Sequence, residues 1–147
     1  MNIHIRSLIE GDKTDWLRLW GEYQAFYKST IPESVSEMTW RRFADPAEPM
    51  VAFGAFGKST LVGIVHAIYH RSTWAEGDYC YLQDLFADPA CRGHGVGRAL
   101  IEHVCKQARA RGASQVYWLT HETNAQAMLL YDRIAERSGF LQYRRLL

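Results

Sequence analysis

The sequence has no CxxC pair, and its three cysteines, Cys80, Cys91 and Cys105, are odd in number and widely spaced. That pattern argues against a disulfide framework or a cysteine-based zinc site. No apolar run approaches the roughly 18 residues of a membrane span. The first residues, Met1-Asn-Ile-His-Ile-Arg6, lack the apolar stretch of a signal peptide. A soluble, cytoplasmic protein with no membrane partner is expected. Charge of one sign is also lacking. The 17 Lys and Arg against 16 Asp and Glu leave a formal +1, which by itself argues for no nucleic-acid or membrane partner. Internal repeats and low-complexity segments are absent.

What is present suits one domain spanning residues 1–147, with 48% hydrophobic and 22% charged residues. Asn2 to Leu8 alternates Ile3 and Ile5 with polar neighbours and reads as a strand. Gly11-Asp12 interrupts it. Trp16, Leu19, Trp20, Tyr23, Phe26 and Tyr27 then recur at helical spacing. Such an aromatic stripe packs a core, or in part lines a pocket. Ser34 to Phe43 reads as a second helix, with Ser34 as N-cap and Glu37 completing a capping box. Asp45-Pro46 and Glu48-Pro49 end it. Val51–Phe56 and Leu61–Tyr69 are β-rich runs around a hairpin turn at Gly57-Lys-Ser-Thr60. Tyr79–Ala87 is a strand, Gly95–Arg111 a helix closed by Gly112, and Ser114–Thr120 a strand. Thr123–Arg137 reads as a helix and Phe140–Leu146 as a closing strand. The class is α/β or α+β, with a mixed sheet. A right-handed parallel crossover joins Tyr79–Ala87 to Ser114–Thr120.

Three glycine patterns compete for a phosphate. Gly57-Lys58-Ser59 imitates the end of a P-loop, but the first glycine of that motif would fall at Ala52, and no helix follows. Gly93, Gly95 and Gly97 are spaced G-x-G-x-G, not G-x-G-x-x-G; counted from Gly95, the third glycine position is Leu100. The third pattern, Arg-x-x-Gly-x-Gly, is met by Arg92, Gly95 and Gly97. It follows a strand and Asp88-Pro89 and opens a helix. The first turn of a helix leaves N–H groups unpaired at its partially positive end. Glycines there let a diphosphate reach the backbone, and Arg92 and Arg98 add charge. Helix-weakening glycines at a helix start call for such a reason.

Tyr81-Leu-Gln-Asp-Leu-Phe-Ala-Asp-Pro89 followed by Arg92-Gly-His-Gly-Val-Gly97 resembles motif A of the GNAT family of N-acetyltransferases. Asn124-Ala-Gln-Ala127, Leu130-Tyr131 and Gly139-Phe140 resemble a second motif of that family, in the expected order. The two cover about residues 79–140. In detail the sequence is similar to spermidine/spermine acetyltransferases and to a yeast branch acting on histones and polyamines. The resemblance implies a mostly antiparallel central sheet with a splayed parallel pair, flanking helices and a homodimer. It implies acetyl-CoA as cofactor, its diphosphate on the amides of Arg92, Gly93, His94, Gly95, Val96, Gly97 and Arg98. The pantetheine arm would pair with the strand at Leu85 and Ala87, and Asn124 would help to fix it.

The implied reaction is aminolysis of a thioester. A primary amine with pKa ~10.4 is about one part in 10³ neutral at pH 7, so a base must take its proton. Asp84 is the candidate, directly or through water, although simple alternation aims it at the other sheet face unless a strand bulge re-aims it. Gln83 stands where polyamine acetyltransferases often have Glu; it cannot take a proton but can orient a water or an acceptor. Glu22, Glu33, His66, His70, His121 and Glu122 are alternative bases. The developing oxyanion needs an N–H, with Leu85 and Phe86 as candidates. Tyr131 occupies the family position of the acid for the leaving thiolate. Tyr23, Tyr27, Glu33 and Gln83 are candidates for the acceptor side, where rings hold an alkyl chain and carboxylates attract a cation. His66 and His70 share a strand face, but the sequence offers no third ligand, so no metal is expected. The expected function is acetyl transfer to a primary amine: a polyamine, a small amine, or a peptide lysine or N-terminus. A non-catalytic acyl-CoA sensor is the alternative, favoured by Gln83. A nucleotide- or nucleic-acid-binding protein is a third reading, weakened by the incomplete P-loop and the neutral charge.

Overall fold

A computed structural model describes every residue, Met1–Leu147. Five strands lie in one sheet in sequence order: β1 (Ile3–Ser7), β2 (Met50–Gly57), β3 (Thr60–His70), β4 (Tyr79–Ala87) and β5 (Gln115–Tyr117). The pairings are antiparallel except β4 with β5, which is parallel. The helices are α1 (Lys13–Phe26), α2 (Glu33–Ala44), α3 (Val96–Ala110) and α4 (Ala125–Ile134). The β2–β3 turn has Lys58 and Ser59 at φ 52° and 66°, as a two-residue primed turn requires.

Each sheet face buries its own cluster. On one, α3 packs Val96, Leu100, Ile101 and Val104 against Val65, Ala67, Cys80 and Leu82. On the other, Trp16, Leu19 and Trp20 of α1 and Trp40 of α2 meet Phe56, Leu61, Ile64 and Phe86. Each such side chain taken from water contributes about 1.5–3 kcal/mol. The α3 face lies close to β3, because a Cβ on Gly63 would stand 2.6 Å from Val96 Cγ1.

Two irregularities shape the centre. Ladder pairing of β3 with β4 runs His66↔Asp84 and then Ala67↔Leu82, so Gln83 is an extra residue on β4. Cys80 and Leu82 face α3, but so do Leu85 and Ala87, while Phe86 joins the α1–α2 cluster. This bulge reverses the parity of the strand and puts Asp84 on the α1 side. Secondly, β4 and β5 pair only from Tyr79↔Gln115 to Tyr81↔Tyr117. Beyond Tyr81 the two strands part, and the remaining edge of β4 has no neighbour.

Four expectations are corrected. Ser34 is not an N-cap: α2 starts at Glu33 behind Pro32, with no side-chain cap bond, because the proline already fixes the entry backbone. β5 is three residues long instead of seven, since beyond Tyr117 it has lost β4 and gains no other strand. α4 runs from Ala125 to Ile134, shorter than Thr123–Arg137 at both ends, and buries no residue fully. The closing strand at Phe140–Leu146 does not form: the chain after α4 pairs with no strand, and Phe140, Leu141, Tyr143, Leu146 and Leu147 are exposed.

Candidate active site

The glycine loop is held in place from its N-terminal side. Asp88 accepts a hydrogen bond from Ala90 N at 3.0 Å and also meets Arg18 at 3.4 Å, while Arg18 donates to Leu61 O at 3.2 Å. Pro89 sits at the first position of the short turn that follows. Gly95, at φ 75° and ψ 20°, then turns the chain into α3. The amides from Gly93 to Arg98 donate to no backbone carbonyl; Ala99 N is the first of α3 to do so, at 3.0 Å from Gly95 O. A Cβ on Gly93 or Gly95 would meet nothing within 4 Å, and one on Gly97 only Leu85 Cδ2 at 4.0 Å. The result is a row of free donors at the positive end of a 15-residue helix, under open space. Arg92 and Arg98 flank it, and Arg92 also lines a cleft of about 560 Å³ with Glu22, Phe26 and Phe86.

The open edge of β4 leads from this loop to Asp84. The carboxylate is 16% exposed. Its Oδ1 accepts from Tyr23 Oη at 2.9 Å, and Oδ2 lies 2.9 Å from His66 Nδ1. His66 is buried, and its Nε2 accepts from Trp16 Nε1 at 2.9 Å. α1 positions these groups because Trp16, Trp20, Tyr23 and Tyr27 share one helix face. Trp16 and Trp20 are buried, Tyr23 stacks on Trp20 at 5.4 Å, and Tyr27 meets Tyr23 at 5.0 Å. The stripe is therefore core at Trp16 and Trp20 and becomes progressively exposed through Tyr23 to Tyr27. Burial first, and the Asp84 charge second, push the phenols of Tyr23, Tyr27 and Tyr81 above their ordinary pKa. All three stay protonated at neutral pH around one carboxylate.

Tyr131 lies on α4, with its ring 5.5 Å from that of Trp118. Burial, followed by the neighbouring phenol of Tyr27, raises its pKa, so it too keeps its proton. Asn124 precedes α4 and donates to Thr120 Oγ1 at 3.2 Å. Leu85 and Ala87 are half-buried against the α3 cluster, and Phe86 is buried on the α1 side.

Other candidates lie apart. Gln83 is exposed at the bulge, and Glu33 is exposed at the start of α2, with no hydrogen bond to the Asp84 group. His70 bonds Tyr117 Oη at 2.7 Å near the far end of β3, and His121 bonds Thr123 Oγ1 at 2.7 Å. Glu122 is exposed, and Glu22 lies 3.7 Å from Arg18. Sequence reasoning missed Trp16 as a partner of this site and the bonds from Tyr23 and His66 to Asp84. The helical spacing of the aromatics was the available signal for Tyr23; the His66 contact depends on strand register.

Residues 14–135 match the family model described as acetyltransferase (GNAT) family. The chain is 34% identical over 145 residues to the D-amino-acid N-acetyltransferase of Saccharomyces cerevisiae, covering 97% of this chain and 90% of that protein. It is 31% identical over 141 residues to the thialysine N-epsilon-acetyltransferase of Bos taurus, covering 90% and 82%. Among solved structures, AAC(6')-Iy in complex with the bisubstrate analogue CoA-S-monomethyl-acetylneamine superposes with a TM-score of 0.86 at 16% identity, covering 100% and 99%. The ribosomal-protein-alanine N-acetyltransferase of Brucella melitensis gives 0.83 at 20%, with both chains fully covered.

Proposed function

Since the chain belongs to the GNAT family of acetyltransferases, and is thereby an acetyl-CoA-dependent enzyme that acetylates an amine, we propose that Asp84 takes the amine proton and Tyr131 supplies the proton on the opposite side. Acetyl-CoA, when bound, supplies the acetyl group as a thioester. The residues present fit it. The free amides from Gly93 to Arg98 and the space above Gly93, Gly95 and Gly97 suit its diphosphate. The unpaired edge of β4 after Tyr81 suits the amide-bearing pantetheine arm as an added strand. Leu85, Phe86 and Ala87 would line that arm. Asn124, whose amide bonds Thr120 at 3.2 Å, would help to fix it.

The observation that carries the assignment is Asp84 itself. It is a nearly buried carboxylate without Lys or Arg at hydrogen-bond distance, bound to two side-chain donors and ringed by protonated tyrosines. An ammonium acceptor would bring the missing counter-charge, and its N–H would meet the carboxylate as the proton leaves. Tyr23, Tyr27 and Tyr81 would hold the carbon chain beside it. Tyr131, kept protonated by burial, has a proton at Oη for the departing sulfur. Gln83 lies outside this arrangement and would act only on the outer part of an acceptor. The acceptor we propose is a small or extended primary amine, such as a polyamine or an amino-acid amine. The relatives offer nothing in favour of a non-catalytic sensor.

We propose further that the protein works as a homodimer in the cytoplasm, without a nucleic-acid partner. Residues 136–147 form an arm with no backbone pairing that exposes Phe140, Leu141, Tyr143, Leu146 and Leu147, and β5 on the same chain has a free outer edge. A second copy related by a twofold axis would cover both. The cysteines are all free, as in a reducing compartment, and no helix is long and apolar enough to cross a membrane.

The test is thiol release from acetyl-CoA with a panel of diamines, polyamines, D- and L-amino acids and lysyl peptides. Asp84→Asn should lower kcat by about 10²–10⁴-fold on the best acceptor, and Tyr131→Phe should lower it with acetyl-CoA saturating. Full activity in Asp84→Asn removes the base; full activity in Tyr131→Phe removes the acid.

A further inference from the structure

Behind Asp84 runs a buried polar chain that the steps above do not use. Trp16 is fully buried and His66 is 3% exposed. Trp16 Nε1 donates to His66 Nε2 at 2.9 Å, and His66 Nδ1 stands 2.9 Å from Asp84 Oδ2. An indole N–H can only donate. Nε2 of His66 therefore accepts, the single proton of the neutral ring lies on Nδ1, and Nδ1–H donates to the carboxylate. Turning the ring over would set carbon atoms against both partners. Packing holds the ring in this plane, with the imidazole centroid 4.7 Å from that of Phe43, 5.0 Å from Trp20 and 5.9 Å from Trp16. The bulge at Gln83 completes the arrangement, because it places Asp84 opposite His66 in the ladder and on the same face.

We infer that Trp16 and His66 are positioning residues for the proton acceptor: the indole fixes His66 as its Nδ1–H tautomer, and that N–H, together with Tyr23, fixes the orientation of the Asp84 carboxylate. This rests on the reading of Asp84 as the base. Each carboxylate oxygen then accepts one bond from the protein and keeps acceptor capacity for the amine. The chain is also a dead end for the proton. The one acceptor nitrogen of His66 is filled by an indole N–H that can only donate, so the proton taken from the amine rests on Asp84 and leaves from the exposed side of the carboxylate, not through the core. Orientation of this kind contributes to rate by holding the reacting groups in line.

Two experiments test it. In ¹⁵N-histidine-labelled protein at neutral pH, His66 should show a protonated Nδ1 and a bare Nε2; an Nε2–H tautomer or an imidazolium overturns the inference, whatever the acceptor. In kinetics on the best acceptor of the panel, Trp16→Phe and His66→Phe should lower kcat by about 10- to 100-fold and leave KM for acetyl-CoA unchanged. His66→Asn carries an amide N–H near the Nδ1 position and should recover much of the loss, whichever of the two variants melts lower. A merely structural role would make kcat follow the melting temperature. Wild-type kcat in His66→Phe, or equal losses in the Asn and Phe variants, refutes the positioning role. Activity surviving in Asp84→Asn would instead remove the base assignment. If the variants do not fold, the histidine spectrum of the wild-type protein still decides.

Discussion

Gly97→Ala should make the free protein more stable and the bound complex weaker. Gly97 lies in the first turn of α3 with no left-handed φ, and a Cβ there would meet only Leu85 Cδ2 at 4.0 Å. Nothing within the protein calls for glycine. Alanine in a helix is favoured over glycine by about 0.5–1 kcal/mol, which for a chain of this size raises the melting temperature by about 2–4 °C. The same methyl group would be added on the turn that carries the free amides of Gly93 to Arg98. A diphosphate seated on them would be pushed away from at least one. A hydrogen bond to a charged group contributes about 1.5–3 kcal/mol, which corresponds to roughly 10- to 150-fold in Kd. Thermal melts without ligand and isothermal titration with acetyl-CoA measure the two effects on one sample. A variant that melts higher and binds acetyl-CoA as tightly as wild type refutes the reasoning, because the loop would then be a turn with no ligand above it.

Three further outcomes are expected. Gly63→Ala would drive a Cβ to 2.6 Å from Val96 Cγ1 and 3.1 Å from Leu100 Cδ1, and should cost about 1–3 kcal/mol in urea unfolding by prising α3 from β3. Asp12 is held below the ordinary carboxylate pKa, first by the Arg6 guanidinium at 2.7 and 3.1 Å and then by the Ile9 amide. Its folded pKa lies under its unfolded one, so its stabilisation is present above about pH 4 and is lost as pH falls through the folded value. Asp12→Asn should therefore lose most stability near neutrality and converge on wild type in acid, as read by melts across pH. Removing residues 136–147 should halve the mass seen by light scattering; an unchanged mass removes the arm from the interface.

The hairpin turn, the helix opened by glycines and the aromatic face of α1 were all legible in the sequence, because each depends on neighbours a few residues away. Lys58-Ser59 between β-rich runs, Asp88-Pro89 before the loop and the spacing of Trp16, Trp20, Tyr23 and Tyr27 are local signals. They were enough to locate the glycine loop at the start of α3 and the aromatic face that reaches Asp84. The capping box at Ser34 failed on an equally local fact, the proline two residues earlier. The closing strand failed for another reason: Phe140–Leu146 has the composition of a strand, but within one chain it meets no partner edge.

What determined the chemistry of the centre lies further apart. Alternation alone turns Asp84 away from α1, and only the pairing register with β3 reveals Gln83 as the extra residue that turns it back. The bond from Trp16 to His66 joins residues 50 positions apart. The parting of β4 and β5 after three pairs depends on where two strands diverge in space. The sequence by itself determined the row of free amides at the start of α3, since such amides are a property of the local chain. The tertiary structure decided which carboxylate turns to the α1 side and what holds it, because side-chain direction in a sheet and contacts between distant elements exist only once the strands have paired.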